Sequence, residues 1–393
     1  MIDAVTIRHV LSGRSAGTSG ERPCAATDPA RTLSVFLLTL SVALACASER
    51  AFAFHEGGVG HCSGCHTTHN SQDGIPNNAD TPFGIEALLL YENPTDLCLS
   101  CHAESFGAVL SPNPLLPLPE IGGGDFTFLL EDNLNDTVGA LAPIDGSHGG
   151  HNVVSQLWGI PVDAENGAAP GGTYASANLG CISCHDPHGN ENFRMLRGRG
   201  SVDPSGFVFT EPAPTAQGIP LDAVGESRDL HTAYNFGWAD WCANCHGRFH
   251  EGFNQTFEHP IDRGLSGEAR ANYNDYDGPD RLFDGSYETA YIPEVPFEDV
   301  NGTPTSTTGA FGPSRVMCMS CHRAHATSAP YALRWDPNVE FLVDDGFESG
   351  SYPIPSPYPD PNQRSLCVKC HYTEAYEHGF GRPCMECHRN LND

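Results

Sequence analysis

Residues 318–325 read CMSCHRAH, and the opening Cys-x-x-Cys-His of that stretch occurs seven times in the 393-residue chain. The seven are Cys62/Cys65/His66, Cys98/Cys101/His102, Cys181/Cys184/His185, Cys242/Cys245/His246, Cys318/Cys321/His322, Cys367/Cys370/His371 and Cys384/Cys387/His388. They take up 14 of the 16 Cys, leaving Cys24 and Cys46 near the N-terminus. Cys at i and i+3 with His at i+4 project from one face of a single helical turn. Thiols so placed reach the two vinyl groups of a porphyrin while the imidazole meets its iron, which is why this spacing marks covalent haem attachment. Structural zinc also uses Cys-x-x-Cys pairs, but it gives no reason for His to follow every second Cys, and a disulfide framework gives none either. The expected cofactor is haem c, seven per chain, with His66, His102, His185, His246, His322, His371 and His388 as proximal iron ligands.

A haem iron has a sixth position, and its occupant decides between electron transfer and chemistry. Beyond residue 53, eleven His lie outside the motifs: His55, His61, His69, His148, His151, His188, His231, His250, His259, His325 and His378. Eleven candidates for seven places make His on both sides of every iron the default. Of the four Met in the same region, Met317, Met319 and Met385 sit within or against a motif, and with Met195 they read as packing residues. His69, His188 and His325 each follow a motif His by three residues, and His250 follows His246 by four. On a short helix those offsets would carry a second imidazole along the same face toward a neighbouring haem.

The chain is rich in Gly (42) and Pro (31), and only 39% of its residues are hydrophobic. Pro-rich runs such as SPNPLLPLP (Ser111 to Pro119) and SYPIPSPYPDP (Ser351 to Pro361) exclude helix and central strand. About 340 mature residues shared among seven sites leave roughly 49 each, too few for separate cores, so the haems must be one another's neighbours. The expected fold is mostly coil with short helices at the motifs and few strands, wrapped around a haem core. First-Cys gaps of 36, 83, 61, 76, 49 and 17 residues argue against a regular repeat array.

An Arg-bearing segment to Arg31, an apolar run from Thr32 to Ala45 and small residues after it read as an export signal, the run being too short to cross a bilayer. Cleavage is placed after Ala53, in Ala51-Phe52-Ala53; the residues before Cys46 fit a lipid-attachment signal poorly. Residues 1–53 are then the leader and 54–393 one secreted domain with no transmembrane segment, destined for the outer surface or beyond. The formal net charge is −29; the leader takes five Arg and four acidic residues with it, leaving −30. Such a surface repels nucleic acid and favours cationic partners, mineral surfaces or divalent ions. The single Lys, Lys369, has no explanation in the sequence.

Several stretches extend beyond the bare motif: FHEGGVGHCSGCHTTHNS (Phe54 to Ser71), GHNVV (Gly150 to Val154), APGGTY with CISCHDPHG (Ala169 to Gly189), WCANCHGRFH with EHP (Trp241 to Pro260), CMSCHRAHA (Cys318 to Ala326) and RSLCVKCH (Arg364 to His371). Together they resemble the outer-surface filament cytochromes of metal-reducing bacteria, the six-haem S-type nanowire cytochromes. The resemblance implies head-to-tail polymerisation, bis-His ligation and an unbroken line of haems. It also implies that His69 leaves its own subunit to ligate the haem at Cys318/Cys321/His322 of a neighbour. His55, His151, His188, His250, His259 and His325 have counterparts among the family's distal ligands. The chain departs from the family after His371, where YTEAYEHGFGRPCMECHRNLND adds a seventh motif in residues 372–393, with His378 the natural new ligand.

The function so implied is extracellular electron transfer, with periplasmic or outer-membrane cytochromes as donors and extracellular metal oxides or partner cells as acceptors. A monomeric carrier of the same chemistry, with His69 ligating in its own chain, is the alternative. A reductase of nitrite, hydroxylamine or a sulfur oxyanion would need an open iron; seven motif His and eleven spare His argue against one, so the chain is not expected to be an enzyme.

Overall fold

The Cys-x-x-Cys segments fold as isolated helical turns because each is closed by its own neighbours. Short helices run over Cys62–Cys65 (α1), Pro94–His102 (α2), Cys181–Cys184 (α3), Trp238–Ala243 (α4), Gly267–Asp275 (α5) and Cys318–Cys321 (α6), with a further helical turn at 368–371. At α2 the Asn93 side chain accepts from the Thr95 N–H at 2.8 Å and Pro94 opens the helix, satisfying and removing donors that the first turn leaves orphaned. In α3 and α6 a Ser inside the motif does the same work. Ser183 Oγ accepts from the Gly180 N–H at 3.0 Å, and Ser320 Oγ from the Met317 N–H at 3.1 Å.

The computed structural model describes residues 62–67, 71–72, 75–76, 88–103, 109–111, 122–130, 135–137, 140–143, 149–220, 226–249, 261, 263–276, 285–327, 329–335, 337 and 365–371. All of these belong to one compact unit, Phe52–Asp393. The leader 1–53, the extension 372–393 with Cys384, Cys387, His388 and His378, and His55, His61, His69, His148, His250 and His259 lie outside the described residues.

In the third and fifth motifs the helix stops at the motif His. His185 (φ −105°, ψ 143°) and His322 (φ −107°, ψ 159°) are already extended, yet their N–H groups still donate to the carbonyls of Cys181 at 3.0 Å and Cys318 at 2.9 Å. His188 and His325 therefore do not ride up the helix face, as their spacing suggested; they are carried off on extended chain. Pro187 helps to forbid helix after His185.

Downstream of three motifs the chain doubles back as a strap, which the spacing of the motifs did not suggest. The motif His forms an isolated antiparallel bridge with a later Leu: His66 with Leu89, His185 with Leu196, His322 with Leu333. Just before that Leu the backbone turns left-handed, at Leu88, at Arg194 and Met195, and at Tyr331 and Ala332. The same pair of hydrogen bonds recurs at all three. Asp186 and Arg323 donate to Met195 and Ala332 as Thr67 does to Leu88, and Arg197, Arg334 and Leu90 donate back to the carbonyls of Cys184, Cys321 and Cys65. In the third and fifth motifs an Arg guanidinium locks the turn, Arg197 Nε to the Ile182 carbonyl at 2.9 Å and Arg334 Nε to Met319 at 2.7 Å. Leu-Arg stands eleven residues after the motif His in both cases, a signal present in the sequence.

Regular structure elsewhere among the described residues is sparse, as expected for this composition. Three two-stranded antiparallel pairs form: Ser71–Gln72 (β1) with Ile75–Pro76 (β2), Asn135–Thr137 (β3) with Ala140–Pro143 (β4), and Thr215–Gln217 (β5) with Ala233–Phe236 (β6). Side chains pack in two clusters. The larger includes Leu99, Phe128, Tyr273, Tyr276, Ile292, Trp335 and Leu366; the smaller is Leu196, Tyr234, Trp238, Met317 and Met319, so two of the Met are packing residues.

Next to Val295 of the larger cluster stands a buried acid. Glu294 is 7% exposed, and its Oε2 has no hydrogen-bond partner among the described residues. Burial raises its carboxyl to about 7, against the pull of Arg323 and Arg334. A carboxyl raised on folding favours the folded state when protonated, so that contribution is present below about pH 4.5 and is lost as pH rises through 7. At pH 8 the loss is on the order of 3 kcal/mol. Replacing Glu294 with Gln is expected to remove this decline: the haem-loaded variant should match the parent near pH 4 and melt several degrees higher at pH 8. Parallel melting curves across that range would refute the assignment.

Candidate haem-binding sites

Binding a metal through imidazole requires a neutral ring with one nitrogen free and the other held. Ligating His rings are usually fixed by donating the second N–H to a carbonyl or carboxylate. Four of the described His residues follow that rule. His185 Nδ1 faces the Arg194 carbonyl at 2.8 Å, His246 Nδ1 the Pro170 carbonyl at 2.8 Å, His322 Nδ1 the Tyr331 carbonyl at 3.0 Å, and His151 Nδ1 the Ala324 carbonyl at 2.6 Å. In each the Nε2 is turned the other way. The straps thus have a purpose beyond closing a turn, because two of them supply the carbonyls that orient His185 and His322. Pro170 gives the APGGTY stretch a role as well, and a Cβ on Gly172 would run into the Cys245 carbonyl beside it.

Desolvation, the largest cause in each case, lowers the pKa of His185, His246 and His325; it works on His246 together with His151, and takes His325 down to about 3 with help from His185. A ring so disfavoured as a cation is kept in the state that ligates. His325 Nδ1 is buried with no hydrogen-bond partner among the described residues.

Imidazoles from distant parts of the chain face one another in pairs. The rings of His66 and His188 are stacked with centres 6.1 Å apart and planes 13° from parallel. Those of His151 and His246 are 6.0 Å apart and tilted by 53°. Two imidazoles each bonded to one metal at about 2 Å have ring centres roughly 6 Å apart, so both pairs leave room for an iron and little else. The residues therefore fit haem: two thiols on a turn, a proximal ring in the motif, and a distal ring opposite. His231 is a different case. It is buried, stacked on Tyr291 at 3.8 Å, with Nε2 2.9 Å from the Ser306 carbonyl and Nδ1 3.1 Å from that of Thr232, which makes it a packing residue.

One backbone ladder presents two of the candidate distal rings. His151 N–H donates to the His325 carbonyl, His325 N–H to that of Gly123, and Gly150 bridges Ala326. Side chains are excluded at Gly124 (φ +92°) and Gly150, where a Cβ would strike the backbone of Ala326 or His325.

The thiols reveal the order of the sites. α2 packs on α3 and α4 on α6. Accordingly the free thiols of Cys98 and Cys181 lie close enough to perturb each other, raising Cys98 and lowering Cys181, and Cys242 and Cys318 behave in the same way. Cys65 is raised by burial and then by Cys98 and Cys101; Cys184 rises to about 12 by burial and then Cys245; Cys321 is raised by burial and then by Cys367 and Cys370. Motifs one to six are thus consecutive in space as in sequence.

No protein-family model matches the chain. It is 30% identical, over an alignment of 429 residues, to the C-type cytochrome OmcS of Geobacter sulfurreducens, covering 86% of this chain and 98% of that protein. The chain belongs to the OmcS family of c-type cytochromes. Two solved structures agree with that placement. The cryo-EM structure of the OmcS nanowires from Geobacter sulfurreducens superposes with a TM-score of 0.68 at 27% identity, over 81% of this chain and 99% of that one. A structure of the Outer Membrane Cytochrome S filament from the same organism gives 0.67 at 26%, with the same coverage. The mostly coiled fold is that of the OmcS filament subunit, as the sequence resemblance implied.

In an OmcS-family cytochrome the paired rings make a sharp expectation. His188→Ala should leave haem content unchanged and turn one haem, that of His66, high-spin in the resting spectrum. His231→Ala should lower stability and leave every haem low-spin. A high-spin signal from the second variant, or none from the first, would contradict the assignment.

Proposed function

We propose that the chain binds seven haem c groups, each iron held between two His, and carries electrons along a head-to-tail filament outside the cell. In this reading residues 1–53 are the export leader, 54–393 form the mature domain, and 372–393 add the seventh haem with His378 as its distal ligand. An iron with imidazole on both faces changes little on oxidation and has no place for a substrate, which suits a carrier rather than an enzyme. Haem supplies the one-electron chemistry. The chain positions the rings, holds their tautomers through the Nδ1 contacts and excludes water around the line of sites.

The observation that carries the polymer is a step of two in the ligand pattern. The first motif's His66 faces His188, three residues after the third motif's His. His325, three residues after the fifth motif's His, lies within electrostatic reach of the third motif's His185. The same step asks the fifth site, at His322, for a His three residues after the motif two further on. In this chain that motif is the seventh, which reads CHRNLND and has no such His. The first motif of another copy, CHTTH, has one in His69. A second copy of the chain therefore completes the fifth site, and the bond fixes the register between subunits. The subunits of the two OmcS filaments support the same reading. Donors are periplasmic or outer-membrane cytochromes, and acceptors are extracellular metal oxides or partner cells reached by an acidic surface.

Cryo-EM of natively secreted, haem-loaded protein tests this directly. Fibres are expected, with peptides carrying porphyrin at all seven Cys pairs. His69→Ala should shorten them to discrete particles and leave one haem high-spin. Discrete particles from the unaltered protein with every haem low-spin would establish the monomeric carrier instead.

A further inference from the structure

The one Lys of the chain stands inside a haem motif, as the residue before the second Cys of CVKCH. The corresponding position in the other motifs holds Gly64, Ser100, Ser183, Asn244, Ser320 and Glu386. Ser183 and Ser320 turn back to cap their own helices, but Lys369 points away from its turn into the protein. It is fully buried, at 0% exposure. Its Nζ donates to the carbonyls of Ala290 at 2.8 Å, Tyr273 at 2.9 Å and Tyr276 at 3.5 Å, and lies 4.3 Å from the centre of the Tyr273 ring and 5.3 Å from that of Tyr276.

This cage is built for an ammonium. Three converging carbonyls take three N–H donors, the full complement of a charged Lys and one more than a neutral amine has. Tyr273 and Tyr276 belong to the end of α5, where unsatisfied carbonyls and the helix dipole favour a cation, and the two ring faces add to that attraction. A planar Arg fork cannot bring three donors from one nitrogen to three carbonyls, which accounts for Lys here in a chain whose other basic residues are Arg. Asn272 Nδ2 also donates to the Cys370 carbonyl at 2.9 Å, tying the same helix to the same motif.

We propose that Lys369 is a fixed positive charge built into the sixth motif to raise the reduction potential of the haem at Cys367, Cys370 and His371. The inference rests on the seven-haem reading and adds to it a buried charge that favours the reduced state of one named site. Reduction takes the ferric iron plus one electron to the ferrous iron and removes one positive charge. A cation buried next to Cys370 is poorly screened, so it disfavours the ferric state more than the ferrous. The electron comes from the fifth site, whose Cys321 lies beside Cys367 and Cys370. The charge therefore favours an electron at the sixth site over the same site without it.

Lys369→Met keeps the length and removes the charge. In a spectroelectrochemical titration of the haem-loaded protein, one component should move to lower potential by at least tenfold in its reduction equilibrium constant, or 59 mV for one electron, while the others stay in place. Lys369→Arg, which restores charge without the three-carbonyl fit, should bring that component back toward the parent. If Lys369→Met loads every haem and no component moves by as much as threefold, Lys369 is a structural anchor and the proposal is overturned. If Lys369→Met fails to load the sixth haem, Lys369→Gln is titrated in its place, and a shift of less than threefold in every component of that variant overturns the proposal. Absence of porphyrin on the Cys367–Cys370 peptide of the parent would instead defeat the haem reading itself.

Discussion

On the proposed ligation the structure depends on one requirement: an iron fixed to its motif on one face needs an imidazole brought to the other face by a different part of the chain. Covalent attachment and the proximal His are local matters, settled within five residues. The second imidazole is not. His188 reaches His66 and His151 reaches His246 across the sequence, and the coil between them runs where those meetings require. A fold built on such crosslinks has little need of sheets or long helices, because ligation and the haem surfaces replace the burial that regular elements usually provide.

Backbone polar groups set the second constraint. A mostly coiled chain has many N–H and C=O groups outside ladders, and those near the sites cannot be left without partners. Here several are put to use in orienting rings. The carbonyls of Arg194, Tyr331, Pro170 and Ala324 each receive an imidazole N–H. Each such bond contributes about 1 kcal/mol in net terms, and it also fixes the tautomer. The left-handed residues at 194–195 and 331–332 are strained backbone kept where it positions a ligand. Arg197 and Arg334 hold those turns shut.

Charge is distributed with the same economy. The chain as a whole is acidic, with a formal charge of −29. Inside, its single ammonium is surrounded by carbonyl oxygens and tyrosine rings at the sixth motif. An exposed acidic surface is screened by salt, whereas a buried cation acts at close range on what lies beside it. The surface therefore governs partners, and the interior governs the sites.

Sequence alone determined the candidate attachment residues, because Cys-x-x-Cys-His is complete within one turn and needs nothing from the rest of the chain. It also indicated mostly irregular structure, since Gly and Pro act on the backbone wherever they stand. It missed the straps, although Leu196-Arg197 and Leu333-Arg334 follow their motifs at equal distance, because a single bridge between His and Leu leaves no hydrophobic period to read. Its helical account of His188 and His325 failed because the helix ends at the motif His, where the ring must turn outward. Which imidazole faces which was decided by tertiary structure alone: all His side chains are chemically alike, and only the path of the backbone brings one ring to within about 6 Å of another.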